Sequence, residues 1–429
     1  MKRLLMALAL VLSAASAAAQ LTIEISQGAD NPAAIAVVPF AWQGAGVAPE
    51  EIASIVDRDL ARSGQFAPIA RADMLGNPTT EAEVFYRDWR SLSAEYLLIG
   101  RVSADTGLLR IDYELFDVVR QTKVLTNSES GPISDARMLA HRVADAVYEK
   151  LTGVPGAFAT KLLYISVNRE PGANDHSRLT MSDSDGARSV VLLDTHEPLL
   201  TPTWSPDGKN IAYVSFETGR PAIYRQEIAT GRREQLTNFP GLNSSPAWSP
   251  DGKTMAMVLS KDGNADIYLM DLATQKLTQL TRHYAIDTEP AWMPDGRSLL
   301  FTSDRGGKPQ IYRYDLSSGE TDRVTYEGTY NARARVSQDG RSVVMVHQTA
   351  GRFHIAVLDL VTNRLQILTS TDLDESPSIA PNGSMVLYAT KDQNRSILAA
   401  VAVDGEAKFM LPASKGDVRE PAWSPYLPR

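Results

Sequence analysis

The 429-residue sequence contains no cysteine. That excludes disulfides, thiolate metal sites and anchoring through a lipidated cysteine. Basic residues are in deficit, with 43 Lys and Arg against 51 Asp and Glu and a formal charge of −8. Such a balance argues against nucleic acid, which demands a basic face, and against an electrostatic grip on anionic lipid. Long apolar runs are missing beyond the first twenty residues, so no direct membrane insertion is expected. Histidine is scarce. The six, at 141, 176, 196, 283, 347 and 354, share no register or ligand spacing and read as surface or satisfied core residues. Catalytic signatures are missing too. There is no Gly-x-Ser-x-Gly elbow and no Gly-rich phosphate loop before a helix. His196-Glu197 is followed by Pro198, which breaks the helix that a zinc-protease motif requires.

What is present is a globular composition, 43% hydrophobic and 22% charged, on a chain long enough for two domains. Lys2 and Arg3 precede an apolar stretch from Leu4 to Leu12, and Ala17-Ala18-Ala19 offers small side chains for cleavage. This predicts a signal peptide over residues 1–19 and an exported, periplasmic protein, since the apolar run is too short to span a bilayer.

The strongest signal is a repeat. Pro202-Thr203-Trp204-Ser205-Pro206-Asp207-Gly208-Lys209 returns as Pro246-Ala247-Trp248-Ser249-Pro250-Asp251-Gly252-Lys253 and as Pro290-Ala291-Trp292-Met293-Pro294-Asp295-Gly296. Weaker copies follow around Val336 and Ile379, and Pro421-Ala422-Trp423-Ser424-Pro425 ends the series. The step is about 44 residues, the length of one four-stranded propeller blade. Ile223, Ile267, Ile311 and Ile355 keep this step, as do Leu236-Thr237, Leu280-Thr281, Val324-Thr325 and Leu368-Thr369. The Ser-Pro-Asp-Gly element reads as the turn between the first two strands of a blade, where Gly supplies φ > 0. The tryptophans read as blade-packing residues rather than a sugar platform. The last copy is a first strand with nothing after it, while Leu162 to Val167 looks like a second strand with nothing before it. The C-terminal strand therefore completes the first blade and closes a six-bladed ring.

Residues 20–152 are different. Strands are expected at 34–40, 96–102, 109–118 and 122–128. Helices are expected at 49–62, stopping at Gly64, and from a Ser134 cap to Gly153. The fold class is thus an α/β N-terminal domain followed by an all-β six-bladed β-propeller, with a linker at 153–159 and the propeller at 160–429.

Asp287, Glu289, Asp374, Glu375 and Glu420 each closely precede a first strand, at one mouth of the channel. Asp287, Glu289, Glu375 and Glu420 are candidate ligands for Ca2+ through oxygen, or they form an acidic, solvated mouth. Residues 20–26 alternate apolar and polar side chains. Leu21, Ile23 and Ile25 could pack as an edge strand, or leave and add to a partner's sheet.

Together with Ile35-Ala36-Val37-Val38-Pro39-Phe40, Phe116-Asp117-Val118, Lys150-Leu151-Thr152-Gly153, Thr288-Glu289-Pro290 and Pro421-Ala422-Trp423-Ser424-Pro425-Tyr426-Leu427, these features resemble the TolB family of the Tol–Pal cell-envelope system. The resemblance spans nearly the whole chain after residue 19. It implies a non-enzymatic monomer that links the inner-membrane protein TolA to the outer-membrane lipoprotein Pal and supports constriction at cell division. It implies Pal docking through Leu242, Asn243, Ser245, Thr288 and Glu289, and TolA binding through Leu21, Ile23 and Ile25. Leu242 departs from the polar residue expected there. The competing expectation is an exported propeller enzyme acting on envelope glycans.

Overall fold

The computed structural model describes residues 31–168, 175–393, 395–411 and 416–428. The expected signal peptide and the segment carrying Leu21, Ile23 and Ile25 lie outside the described residues.

The N-terminal domain is one sheet with helices on both faces. In chain order its elements are β1 (Ala33–Val37), β2 (Ala41–Trp42), α1 (Ile52–Arg62), β3 (Phe66–Pro68), α2 (Tyr86–Ser91), β4 (Tyr96–Asp105), β5 (Leu108–Asp117), β6 (Thr122–Pro132) and α3 (Ala136–Thr152). The sheet order is β3-β1-β4-β5-β6, with β2 also on β4. Pairing is parallel among β3, β1, β2 and β4, and antiparallel from β4 onward. Helix α1 turns Ile52, Ile55, Val56 and Leu60 inward, and α3 turns Leu139, Val143 and Val147 onto the same face. This is the helical spacing the sequence shows. Trp89 of α2 packs on the opposite face. Gly153 ends α3 in the left-handed region at φ 75, next to a carbonyl that must be capped. Ser134 does not cap α3. A 3-10 turn at Ile133–Asp135 intervenes, and the Ser134 hydroxyl is spent on Asp135 instead.

Six four-stranded antiparallel sheets follow. The best-kept blade consists of Asn243–Trp248, Thr254–Leu259, Asp266–Asp271 and Leu277–Gln279. Its turn is held by Ser249, whose Oγ donates to Asp251 Oδ1 (2.6 Å) and accepts the Thr254 N–H (2.9 Å). The periodic isoleucines and threonines prove to be one device. In four blades the buried Ile N–H donates to the Oγ1 of a Thr two residues past the outer strand, at 3.0, 3.0, 2.9 and 2.9 Å for Ile223, Ile267, Ile311 and Ile355. An amide that the short fourth strand leaves unpaired is satisfied there by a side chain. Tryptophans stitch neighbouring blades: Trp204 Nε1 donates to the Ala422 carbonyl and Trp292 Nε1 to the Ala247 carbonyl, both at 3.1 Å.

The last sheet is composite. Asp417–Trp423 pairs with Lys161–Asn168, placing Trp423 opposite Leu162 and Ala422 opposite Leu163. His176–Asp183 and Val190–Thr195 complete it.

The two domains meet through charge. Asp59 of α1 bonds Arg62 and accepts from His141 Nδ1 at 2.5 Å, and all three side chains are buried. Asp183 receives Lys161 (2.5 Å) and Arg188 (2.8 Å) within the propeller and Arg137 (3.4 Å) from across the junction, while Arg137 also bonds Asp185. The segment after α3 is docked rather than free. Asp145 accepts the N–H groups of Phe158 (2.7 Å) and Ala159 (3.1 Å), and the Pro155 carbonyl accepts from Asn382 (2.9 Å).

Two outcomes follow from this architecture. Deleting residues 420–429 removes half of the closing strand and exposes the edge of Lys161–Asn168. Calorimetry should show lost cooperativity or aggregation, and a truncated protein that melts like the full chain would refute ring closure as the main constraint. Second, burial pushes the Asp145 carboxyl up to about 7, against the lowering effect of its two backbone hydrogen bonds. A folded pKa above the unfolded value means proton uptake on folding. The stabilisation is complete below the unfolded value and is lost as pH rises through about 7. Wild type should therefore gain more melting temperature than Asp145→Asn when acidified from about pH 8 to about pH 5. Parallel shifts in the two proteins would assign the titration elsewhere.

Candidate functional site

Each innermost strand carries the same local kink. Its register shifts by a bulge, and one residue within the bulge adopts a positive φ: Thr201, Ser245, Glu289, Arg333, Ser376 and Glu420. None is glycine, so each costs on the order of 1 kcal/mol of backbone strain. The ladder around it must hold it there. Four of the six line the channel cavity, and Arg333 reaches across to the other two.

Arg333 is the centre of this ring. Its Nε donates to Glu289 Oε1 (2.9 Å), its guanidinium donates to both Glu420 oxygens (3.1 and 3.2 Å), and a further N–H meets Ser376 Oγ. Glu289 Oε2 also accepts the Arg333 backbone N–H and the Thr302 hydroxyl, both at 2.9 Å. Burial works against the guanidinium charge, but Glu420 and Glu289 outweigh it and raise the Arg333 pKa.

The sequence-predicted carboxylates are therefore dispersed among cations. Asp287 is fully buried and gripped by Arg305 Nη2 at 2.9 and 2.8 Å. Glu289 and Glu420 share Arg333, while Glu375 is exposed. A calcium ion at these positions would have to displace arginines. Among the described residues, the one cluster of three potential ligands is instead His141, Asp183 and Asp185 at the domain junction. Arg137, Lys161 and Arg188 already occupy its carboxylates.

The expected docking residues divide in the same way. Leu242 is exposed and Thr288 and Ser245 are half-buried. Asn243 is fully buried. Its amide donates to the Phe239 carbonyl (2.7 Å) and its Oδ1 accepts the Phe239 N–H (3.1 Å), so its side chain shapes the mouth loop and does not itself reach a partner. Sequence reasoning missed Arg333, because a single arginine inside a weak repeat copy carries no signal until the ring places it opposite Glu289 and Glu420.

Residues 148–427 match the family described as the TolB beta propeller domain, and residues 21–124 match the TolB amino-terminal domain. The chain belongs to the TolB family. It is 59% identical over 417 residues to the Tol-Pal system protein TolB of Pseudomonas syringae pv. tomato, covering 97% of this chain and 96% of the relative. It is 54% identical over 425 residues to the same-named protein of Pseudomonas aeruginosa, covering 99% and 98%. The crystal structure of TolB from Acinetobacter baumannii superposes with a TM-score of 0.88 at 41% identity, covering 95% of this chain and all of that one. The chain is thus a component of the Tol-Pal system of the cell envelope. No helix among the described residues is long and apolar enough to cross a membrane.

In this TolB-family ring, Glu289 holds the channel together as well as facing its mouth. Glu289→Ala strips Arg333 of one partner and leaves the Thr302 hydroxyl without its acceptor, though Thr302 still accepts the Arg333 N–H at 3.2 Å. It should lower unfolding free energy by about 1–3 kcal/mol, less than a fully buried pair would cost. Chemical denaturation measures this. An unchanged midpoint would show the ion pair to be energetically idle.

Proposed function

We propose that this chain is a non-enzymatic periplasmic scaffold that joins TolA of the inner membrane to the lipoprotein Pal of the outer membrane, and so supports envelope constriction at division. The observation that carries the reading is the chemistry of one propeller mouth. Four successive loops leading into innermost strands each raise large apolar side chains into solvent: Leu242; Tyr284 and Ile286; Tyr326; and Leu373. Tyr284 is 86% exposed and Tyr326 68%. Large apolar groups presented together on one rim mark a surface meant to be covered by protein, and aromatic anchors are what such interfaces use. Leu242, Ser245 and Thr288 belong to this rim, with Asn243 and Glu289 supporting it from within. The channel cavity is lined by no histidine, and its acidic group is committed to an ion pair. This supports a docking role in preference to catalysis, with no cofactor required.

The TolA side of the reading rests on residues 20–26 as a strand that pairs with a partner's sheet edge through Leu21, Ile23 and Ile25. Calorimetry tests both ends at once. Tyr284→Ser with Ile286→Ser should weaken binding of the soluble Pal domain by about tenfold or more without lowering the melting temperature, since both side chains are exposed. Removing residues 20–26 should abolish binding of the TolA C-terminal domain. Unchanged affinities in both arms would dispose of the scaffold reading.

A further inference from the structure

A cavity of about 310 Å3 lies within the ring. It is walled by the late residues of the innermost strands, including Trp204, Trp248, Trp292 and Trp423, and by the turn prolines Pro206 and Pro250. The Arg333–Glu289 pair borders it where those strands kink. One charged side chain on its wall is left over. Arg335 follows Arg333 by two residues on the same strand, and both line the channel while Ala334 between them is fully buried in the blade. Arg335 Nη1 donates to the Ala334 carbonyl at 2.9 Å. Among the described residues, no carboxylate lies within ion-pair distance of its guanidinium. Arg333 and Arg305, by contrast, hold Glu289 with Glu420, and Asp287.

Such a cation is unfavourable as it stands. Burial first and the neighbouring Arg333 second lower the Arg335 pKa, more than Glu289 and Glu420 raise it, yet a guanidinium stays charged at any physiological pH. Trp204, Trp292 and Trp423 each give their indole N–H to an acceptor, and Trp248 Nε1, which has none, is sealed from the cavity, so Arg335 is the donor left to a ligand. A half-buried fork of N–H donors set in tryptophan and proline lacks one thing, an anion with an apolar body.

We propose that this cavity binds a carboxylate monoanion on a small apolar group, with Arg335 as its bidentate partner. The size fits, since small-molecule pockets begin at about 300 Å3. A phosphate dianion is disfavoured, because Glu289 and Glu420 already outnumber Arg333 nearby and repel a second negative charge. The carboxylate can come from a free small acid or from the C-terminus of a polypeptide. The cavity shares Ser245 and Glu289 with the docking residues but none of the exposed apolar side chains of the rim, so it does not depend on the docking reading.

The test uses the full mature chain and its intrinsic tryptophan fluorescence, because four of the six tryptophans line this cavity. N-acetyl-leucine should give a saturable signal change and N-acetyl-leucinamide none. Arg335→Gln should weaken the acid by about tenfold or more without a lower melting temperature, since it removes an unpaired charge. Arg335→Lys, which keeps the charge but loses the fork, should fall between. A tetrapeptide with a free carboxylate, compared with its amide, distinguishes the sources: binding of the peptide in preference to the acetyl amino acid places the carboxylate on a chain end, and the reverse places it on a small acid. No saturation by any carboxylate, equal binding of acid and amide, or undiminished binding by Arg335→Gln would each overturn the proposal. Pal binding should be unaffected by Arg335→Gln, so failure here leaves the rim reading intact.

Discussion

The antiparallel pairing of Asp417–Trp423 with Lys161–Asn168 is the contact on which the propeller depends. Without it, Lys161–Asn168 would be an open edge, a row of unpaired backbone groups, and the last strand would hang loose. Joining the first sheet to the last strand removes both. The same strand does more than close the ring. Glu420 supplies a carboxylate to Arg333, Trp423 donates its backbone N–H to Ser378 Oγ and its indole N–H to Thr160 Oγ1, and the Ser424 N–H bonds Lys161 across the seam. Seam, channel and domain junction are thus tied by one strand. The ionic junction around Asp59, His141 and Asp183 sits next to this blade, so the N-terminal domain is anchored where the ring is joined.

Much of this was legible in the sequence. The repeated Trp-Ser-Pro-Asp-Gly phrase reports a turn whose Ser and Asp bond each other and the following backbone, which is why it survives in blade after blade. The orphan strands at Leu162 and Pro421 were enough to deduce closure. The separate Ile and Leu-Thr periodicities were both visible, but their meaning was not, because a hydrogen bond between Ile267 and Thr281 has no signature at the level of residue type. The innermost strands extend ahead of the repeated phrase for a related reason. Asn243–Trp248 starts before Pro246 because a bulge inserts Ser245 at φ 49. Neither serine, glutamate nor arginine advertises that conformation, unlike glycine or asparagine.

The candidate site shows what residue type alone cannot supply. Asp287, Glu289, Glu375 and Glu420 looked like a convergent acidic set. The arginines that meet three of them come from other positions of the fold: Arg305 after the next strand, and Arg333 one blade further on. Asn243 likewise looked available to a partner, yet its amide closes its own loop. The rim accordingly presents apolar and aromatic side chains beside exposed acids such as Glu375. Charge is concentrated in the channel and in the domain junction.

The kinked residue in each innermost strand separates two properties that usually travel together in a protein. At most positions a side chain's identity helps decide the backbone around it. Here the backbone bends against the preference of the residue it carries, held by the bulge and by neighbouring strands, and Thr201, Ser245, Glu289, Arg333, Ser376 and Glu420 all accept the same geometry. Hydroxyl, acid and guanidinium all stand at these positions within one ring, so the bent backbone leaves the charge of the channel lining to be set by which side chains it displays.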